Sequence, residues 1–546
     1  MRTVRSRALL NVASLGLVVL ACAPRNSPGA PAGRRNFTLF HTADVHSYLF
    51  DTPLEIDDAD AARGLGPAGL TARVGGAARL ATALSRERAQ ADRSLYLDAG
   101  DLLEGTAVFT LFHGTPEMES FDLLGLDAAA VGNHDLTLGD EAFAALRAHS
   151  ARFPALAANL PAELANGVAL PWVTRSRDGV TVGVVGLGHL ATSAPDLGVA
   201  AEAIHSAIDV LRAQADVIVV LSHLGSELDA ALVPRTTGID VVLGGHTHDV
   251  VEPSIVDDCD DDTAARFGCT SRPVPIVHPG AYGRYLGRVD LVVSDLPEDR
   301  AGADPRAPSV VTSARVSLVP VNENVPPRAD VQALLAPYQE ALVTAGFESP
   351  FAFAPADLTR APQGGDSALG NFVADALLDS AGADLAIVNT EGIRADVPAG
   401  TVTLDDVFRV VPFEDRVATL EASGAALSDA FTKIAVSSCG RSRESQVQVA
   451  GATVVFDCAG SGTAGVFVGD RPLDRSATYR VVTTSFLTEA GGWLAIPSAP
   501  ASISREGLRD AVIARLRAQT PCAGAPTLPC WDEKSGAAVD GRVGFQ

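Results

Sequence analysis

The sequence predicts an α/β protein built as two domains, and three observations carry that reading. Apolar runs of strand length alternate with Ala/Leu/Arg-rich stretches of helical period, the pattern of strands buried on both faces by helices. The chain has 546 residues, 47% of them hydrophobic, which excludes disorder as the main state and is ample for large buried cores without metal or disulfide support. Near the middle, Pro326-Pro327 interrupts the pattern, which then resumes as a second unit.

Residues 1–22 read as an address. Arg2, Arg5 and Arg7 precede an apolar run from Ala8 to Ala21, too short for the ~20 residues that span a bilayer, so a signal peptide is expected. Val19-Leu20-Ala21-Cys22 resembles a bacterial lipobox, which implies a lipidated Cys22, and Ala23 after it favours the outer membrane. Residues 23–36 form a Pro/Gly/Ala tether without apolar periodicity. From 37 to 325 the strand-like runs are FTLF, SLYL, AAAV, VTVGVVGL, DVIVVL, DVVL, PIV and RVDLVV, with helical stretches at GGAARLATALSRERAQ and DEAFAALRAHS. Residues 326–348 predict an amphipathic linking helix. Residues 349–546 open with the helix SALGNFVADALLDSAG and continue in short strands.

The net charge of -24 sets 66 acidic against 42 basic residues, and only Lys433 and Lys534 among the latter are lysine. Such a chain repels nucleic-acid polymers and anionic membranes, so the expected partner is a small molecule, with membrane contact only through the N-terminal lipid. An anionic substrate then needs a local positive charge, which bound metal supplies. Besides Cys22, six cysteines fall into local pairs in an exported chain: Cys259–Cys269, Cys439–Cys458 and Cys522–Cys530. No CxxC spacing points to thiolate zinc. The acidic tract Asp257–Asp262 reads as a solvated loop rather than a calcium site.

Five polar clusters each follow an apolar run: Asp44-Val45-His46, Gly100-Asp101, Gly132-Asn133-His134-Asp135, Ser222-His223 and Gly244-Gly245-His246-Thr247-His248. In α/β sheets ligands bind beyond the carboxyl ends of strands, so the five can converge on one crevice. Asp44, His46, Asp101, Asn133, His223, His246 and His248 mix imidazole with carboxylate and amide oxygen. That suits Zn, Mn, Fe or Co better than Ca or Mg. If one carboxylate is shared, these groups are enough for two ions. Two metals roughly 3.5–4 Å apart clamp a phosphoryl group and convert a bridging water to hydroxide. A lone DxH or GD is an ordinary turn; the ordered set is not.

That set resembles the calcineurin-like metallophosphoesterases. Asn389-Thr390-Glu391-Gly392-Ile393-Arg394, Pro412-Phe413-Glu414-Asp415 and Thr484-Ser485-Phe486 before Gly491-Gly492 narrow the resemblance to the 5'-nucleotidase / UDP-sugar hydrolase family. The resemblance implies an N-terminal α/β/β/α sandwich, residues 37–325, and a smaller α/β substrate-binding domain, residues 349–546. It implies that Asp44, His46, Asp101 and His248 hold one divalent transition metal. Asp101, Asn133, His223 and His246 hold the other, with Asp101 bridging. It places His134 against the phosphate, Phe413 and Phe486 around a base, and Asn389 and Arg394 near base and phosphate. The expected activity is an exported 5'-nucleotidase-like phosphohydrolase. Cyclic nucleotides, UDP-sugars or another phosphoester on the same scaffold are the alternative substrates, and a non-catalytic binding lipoprotein is the alternative class.

The departures from the family are specific. Thr137 stands where an Asp orients the histidine, leaving Asp135 or Asp140 as replacements. Glu391 stands where a small residue is usual, and Asp415 replaces an amide. Gly491-Gly492-Trp493 lacks the Asp that takes the ribose hydroxyls.

Overall fold

The structure, a computed structural model, describes residues 33–161, 168–190, 195–295, 309–360, 365–440, 443–460, 462–489 and 501–546. Cys22 and Gly491-Gly492-Trp493 lie outside them. No described helix is long and apolar enough to cross a membrane.

In the N-terminal domain two six-stranded sheets pack face to face. The first runs in the order Ser309–Pro320, Tyr285–Asp295, Arg34–Thr42, Ser94–Asp98, Ala128–Ala130, Ala155–Leu156, the last four strands parallel. The second runs Val250–Asp257, Pro273–Pro279, Val241–Gly244, Val217–Ser222, Val180–Leu187, Trp172–Arg177, its four inner strands parallel. Alternation along the strands decides which layer each side chain joins. Leu39, Leu95, Leu97 and Val219 point between the sheets. Phe40 and Tyr96 point outward to Leu80, Leu84 and Phe121 on the helices Ala77–Arg88 and Thr115–Leu124. Ile218 and Val220 meet Ile204, Ile208 and Leu211 on the helix Leu197–Leu211. The result is an α/β/β/α sandwich in which five parallel strands end on the same side.

The helix Ala329–Thr344 is more than a link. Its Val331, Leu335 and Leu342 are buried in the N-terminal core, where Phe347 packs edge-on against Phe408 of the second domain at 4.9 Å. That second domain centres on a five-stranded sheet ordered Val447–Ala450, Leu385–Asn389, Thr478–Thr484, Arg416–Ser423, Ser502–Gly507. Helix Ala368–Ala381 covers one face through Leu369, Phe372, Val373 and Leu377. Helix Gly424–Gly440 covers the other through Leu427, Phe431 and Ile434. The three cysteine pairs are joined as expected. The acidic tract is structural: Asp258 is buried and accepts from the Arg272 amide at 2.8 Å, while Asp260 caps the helix Asp261–Phe267.

Candidate active site

All five sequence clusters sit where their parallel strands end. Asp44 and His46 follow Arg34–Thr42, Asp101 follows Ser94–Asp98, and Asn133 follows Ala128–Ala130. His223 follows Val217–Ser222, and His246 and His248 follow Val241–Gly244. Asp44, His46 and His248 form one group and Asp101, His223 and His246 another, the donor atoms of each lying within 4.8 Å of one another. A single oxygen, Asp101 Oδ2, lies 3.0 Å from His223 Nε2 and 3.6 Å from His46 Nε2, so one carboxylate faces both groups.

The backbone is bent to achieve this. Asp44, His46, Asp101, His246 and His248 all have φ between 50° and 78°, a region that L-residues avoid and that clusters at functional sites. Close approach explains Gly132, where a Cβ would lie 2.0 Å from Asp101 Oδ1. The rings are fixed from behind: His46 Nδ1 donates to the Glu104 carbonyl and His223 Nδ1 to the Ala99 carbonyl, each at 2.7 Å, which turns both Nε2 atoms inward.

The donor set fits metal. Asn133 Oδ1 is buried and has no hydrogen-bond partner among the described residues, and buried His223 Nε2 faces the Asp101 carboxylate at 3.0 Å. Burial lowers His46 to about 3 and takes His246 and His248 well below the ordinary imidazole value, which favours the neutral rings that ligate metal. Burial alone would raise Asp101, but His223, then His134, hold it well below the usual carboxylate range. His223 is buried too, yet the carboxylates of Asp101 and Asp44 lift it to about 10. A divalent ion held by this set would take the place of that proton.

His134 differs from the others. Its amide donates to Asp101 Oδ1 at 2.9 Å, and its ring stacks on Phe413 at 4.5 Å and 12°. Neither Asp135 nor Asp140 orients it. Asp135 is buried beneath the loop, accepting from the amides of Asp101 (3.0 Å), Gly132 (2.8 Å) and Leu103 (3.2 Å). Asp140 opens the helix Asp140–Ser150. The partner is Glu104, whose Oε2 lies 2.7 Å from His134 Nδ1 and accepts from Thr137 Oγ1 at 2.6 Å. Its Oε1 accepts from the amide of Glu414, in the other domain, at 3.1 Å. Burial would lower His134, but Asp101 and the Glu104 hydrogen bond raise it.

The C-terminal domain forms the opposite wall of a cavity of about 1590 Å³. Asn389, Arg394, Phe413 and Phe486 line it, facing Asp101, Asn133, His134, His246 and His248. Arg394 Nη2 lies 3.1 Å from His248 Nδ1, and its guanidinium sits over Phe413 at 5.6 Å. Asn389 Oδ1 is buried without a hydrogen-bond partner among the described residues. Asp415 accepts from the Phe486 amide at 3.2 Å. Burial, then the Glu104 carboxylate, pushes Asp415 up to about 7.

With this geometry in view, residues 37–250 match the calcineurin-like phosphoesterase family and residues 346–496 the 5'-nucleotidase C-terminal domain. The protein is a metal-dependent phosphoester hydrolase. The phosphoesterase domain supplies the imidazole–carboxylate groups, and the nucleotidase-type domain closes the cavity over them. The hydrolase is similar to the 5'-nucleotidase of Mus musculus, 27% identical over 498 residues and covering 83% of each chain. Among solved structures it resembles a 5'-nucleotidase precursor of Thermus thermophilus, with a TM-score of 0.76, 25% identity and coverage of 94% of this chain and 99% of that one. It shares its fold with the sulfate thiohydrolase SoxB of the same organism, with a TM-score of 0.69 at 21% identity and coverage of 95% and 98%.

Proposed function

We propose that this protein is an exported 5'-nucleotidase-like hydrolase that uses two divalent transition-metal ions to release phosphate from nucleotides. The observation that carries the reading is the cavity itself. One wall exposes members of both candidate metal-ligand groups, Asp101, His246 and His248, and the facing wall holds an arginine and two aromatic rings. Asp44, His46, Asp101 and His248 would hold one ion; Asp101, Asn133, His223 and His246 the other. Bound ions of this kind supply Lewis acidity toward a phosphoryl group and a water made nucleophilic near neutral pH. His134 meets the phosphate and the departing oxygen, and Arg394 offers parallel donors to the phosphate. Phe413 and Phe486 present flat faces to a base, and Asn389 presents an amide to its edge.

The test is phosphate release by purified, metal-loaded protein from mono-, di- and cyclic nucleotides, sugar nucleotides and aryl phosphates. Nucleoside monophosphates should give the highest kcat/KM. A stronger response to a cyclic or sugar nucleotide would replace the substrate assignment. Tight nucleotide binding with no hydrolysis at any metal would contradict the proposal. For location, the disulfides and the lipobox-like Val19-Leu20-Ala21-Cys22 support export and a lipid anchor in the cell envelope. Mass spectrometry of protein from its native envelope should find an acylated Cys22 at the mature N-terminus; a chain starting elsewhere would contradict it.

A further inference from the structure

Glu104 combines three features. Its φ of 59° places it in the same left-handed region as the candidate metal ligands. Its carbonyl takes the Nδ1 proton of His46, so the backbone here is locked to the metal wall. Its carboxylate is nearly inaccessible, 3% exposed, and its two oxygens reach different domains. Oε2 takes His134 Nδ1 and Thr137 Oγ1; Oε1 takes the Glu414 amide. Three hydrogen-bond partners converge on one carboxyl group, whose two oxygens face both domains; a side-chain amide, with one oxygen and one NH2, does not reproduce that arrangement.

We propose that Glu104 is the positioning residue for His134, replacing the carboxylate missing at position 137, and that it ties His134's orientation to the docked C-terminal domain. The proposal rests on the role given to His134 above. A histidine that holds a developing charge must present one ring nitrogen and anchor the other, and the anchoring carboxylate selects both tautomer and ring plane. Here the anchor is itself held on its far side by the segment that carries Phe413. That segment is clamped: Arg509 donates to the carbonyls of Val411 (2.9 Å) and Phe413 (3.1 Å) and pairs with Glu414 Oε1 at 3.1 Å, while Thr110 of the first domain donates to the same oxygen at 3.0 Å. Substrate-binding wall and His134 therefore share one carboxylate. When the second domain is in place both oxygens of Glu104 are fixed; without it, the Oε1 side loses its partner.

The experiment uses full-length, metal-loaded protein whose wild-type turnover has been measured in the phosphate-release screen, which tests the functional reading separately. Glu104→Gln should lower kcat about 10- to 100-fold, since the amide must turn its NH2 toward at least one donor, with KM within about twofold and metal content unchanged. Adding Thr137→Asp to that variant supplies a carboxylate from 137, whose side chain already touches the anchor, and should restore at least about tenfold of the loss. Arg509→Met, which frees the 411–414 segment, should lower kcat clearly with native Glu104 and at least about threefold less in the Glu104→Gln/Thr137→Asp background. Wild-type kcat in Glu104→Gln, or a loss that Thr137→Asp does not relieve, would overturn the positioning role. An equal Arg509→Met effect in both backgrounds would overturn the link to the domain interface.

Discussion

The two walls of the cavity are built to different standards. On the metal wall every candidate ligand follows a parallel strand, five of them accept strained backbone, and the rings of His46 and His223 are pinned by backbone carbonyls. On the facing wall Asn389 keeps an oxygen with no partner among the described residues, Phe413 rests on His134, and Arg394 leans on His248. These contacts are ones a substrate can replace. On the proposed reading, the chemistry is held by the sandwich, whereas recognition falls to side chains whose partners are exchangeable. Family departures fall on both walls: none is at a metal ligand, but Thr137 stands beside His134, and Glu391 and Asp415 lie on the facing wall.

The largest expected effect lies on the metal wall. Asp101→Asn should reduce kcat on the order of a thousandfold and lower bound metal to one ion or fewer by elemental analysis, because a carboxylate facing both groups serves both ions. A variant that keeps two ions and most activity would remove the distinction between the walls.

On the other wall, Phe486→Ala should raise KM for nucleotides about tenfold and change it less than twofold for a small aryl phosphate, since stacking on a base is worth roughly 1–3 kcal/mol. Equal effects on both substrates would make Phe486 a packing residue.

Asp415 gives the same wall a pH signature. A carboxyl raised to about 7 stabilises the fold in its neutral form. That contribution is complete below its ordinary value of 3.8 and is lost as pH rises to about 7. Asp415→Asn should therefore match wild type near pH 4 and become the more stable protein by pH 7. For a half-buried group the gain is about tenfold in the unfolding constant by denaturant titration. A variant less stable at pH 7 would contradict the assignment.

The smallest effect concerns sugar. Without an Asp after Gly491-Gly492, ribo- and deoxyribonucleotides should differ less than about threefold in kcat/KM, where a charged hydrogen bond worth roughly 1.5–3 kcal/mol would give more than tenfold. Strong preference for ribose would show that another residue takes the hydroxyls.

What could be read from sequence followed the same division. The ligands were visible because each sits at a fixed short distance beyond an apolar run, and strand ends converge by topology. Glu104 was not. It shares no local pattern with His134, 30 residues away, and reaches it only because the turn after Asp101 passes through left-handed backbone. The single cue was the mismatch itself: Thr137 left a histidine without its carboxylate. The helix Ala329–Thr344 was legible as a helix, but not that Val331 and Leu335 would join the N-terminal core, since periodicity marks an apolar face and not what covers it. The hairpin Thr52–Glu55 with Thr71–Val74 escaped notice because its strands are short and carry Pro53, Glu55 and Arg73.

The central claim, that one shared carboxylate assembles a two-ion phosphoester centre, is tested most directly by counting metal against activity. Chelated protein would be titrated with Mn or Zn while bound metal and phosphate release from a nucleoside monophosphate are followed together. Binding should saturate at two ions per chain, activity should rise with the second, and Asp101→Asn should show neither. Saturation at one ion with full activity, or hydrolysis that survives complete chelation, would contradict it.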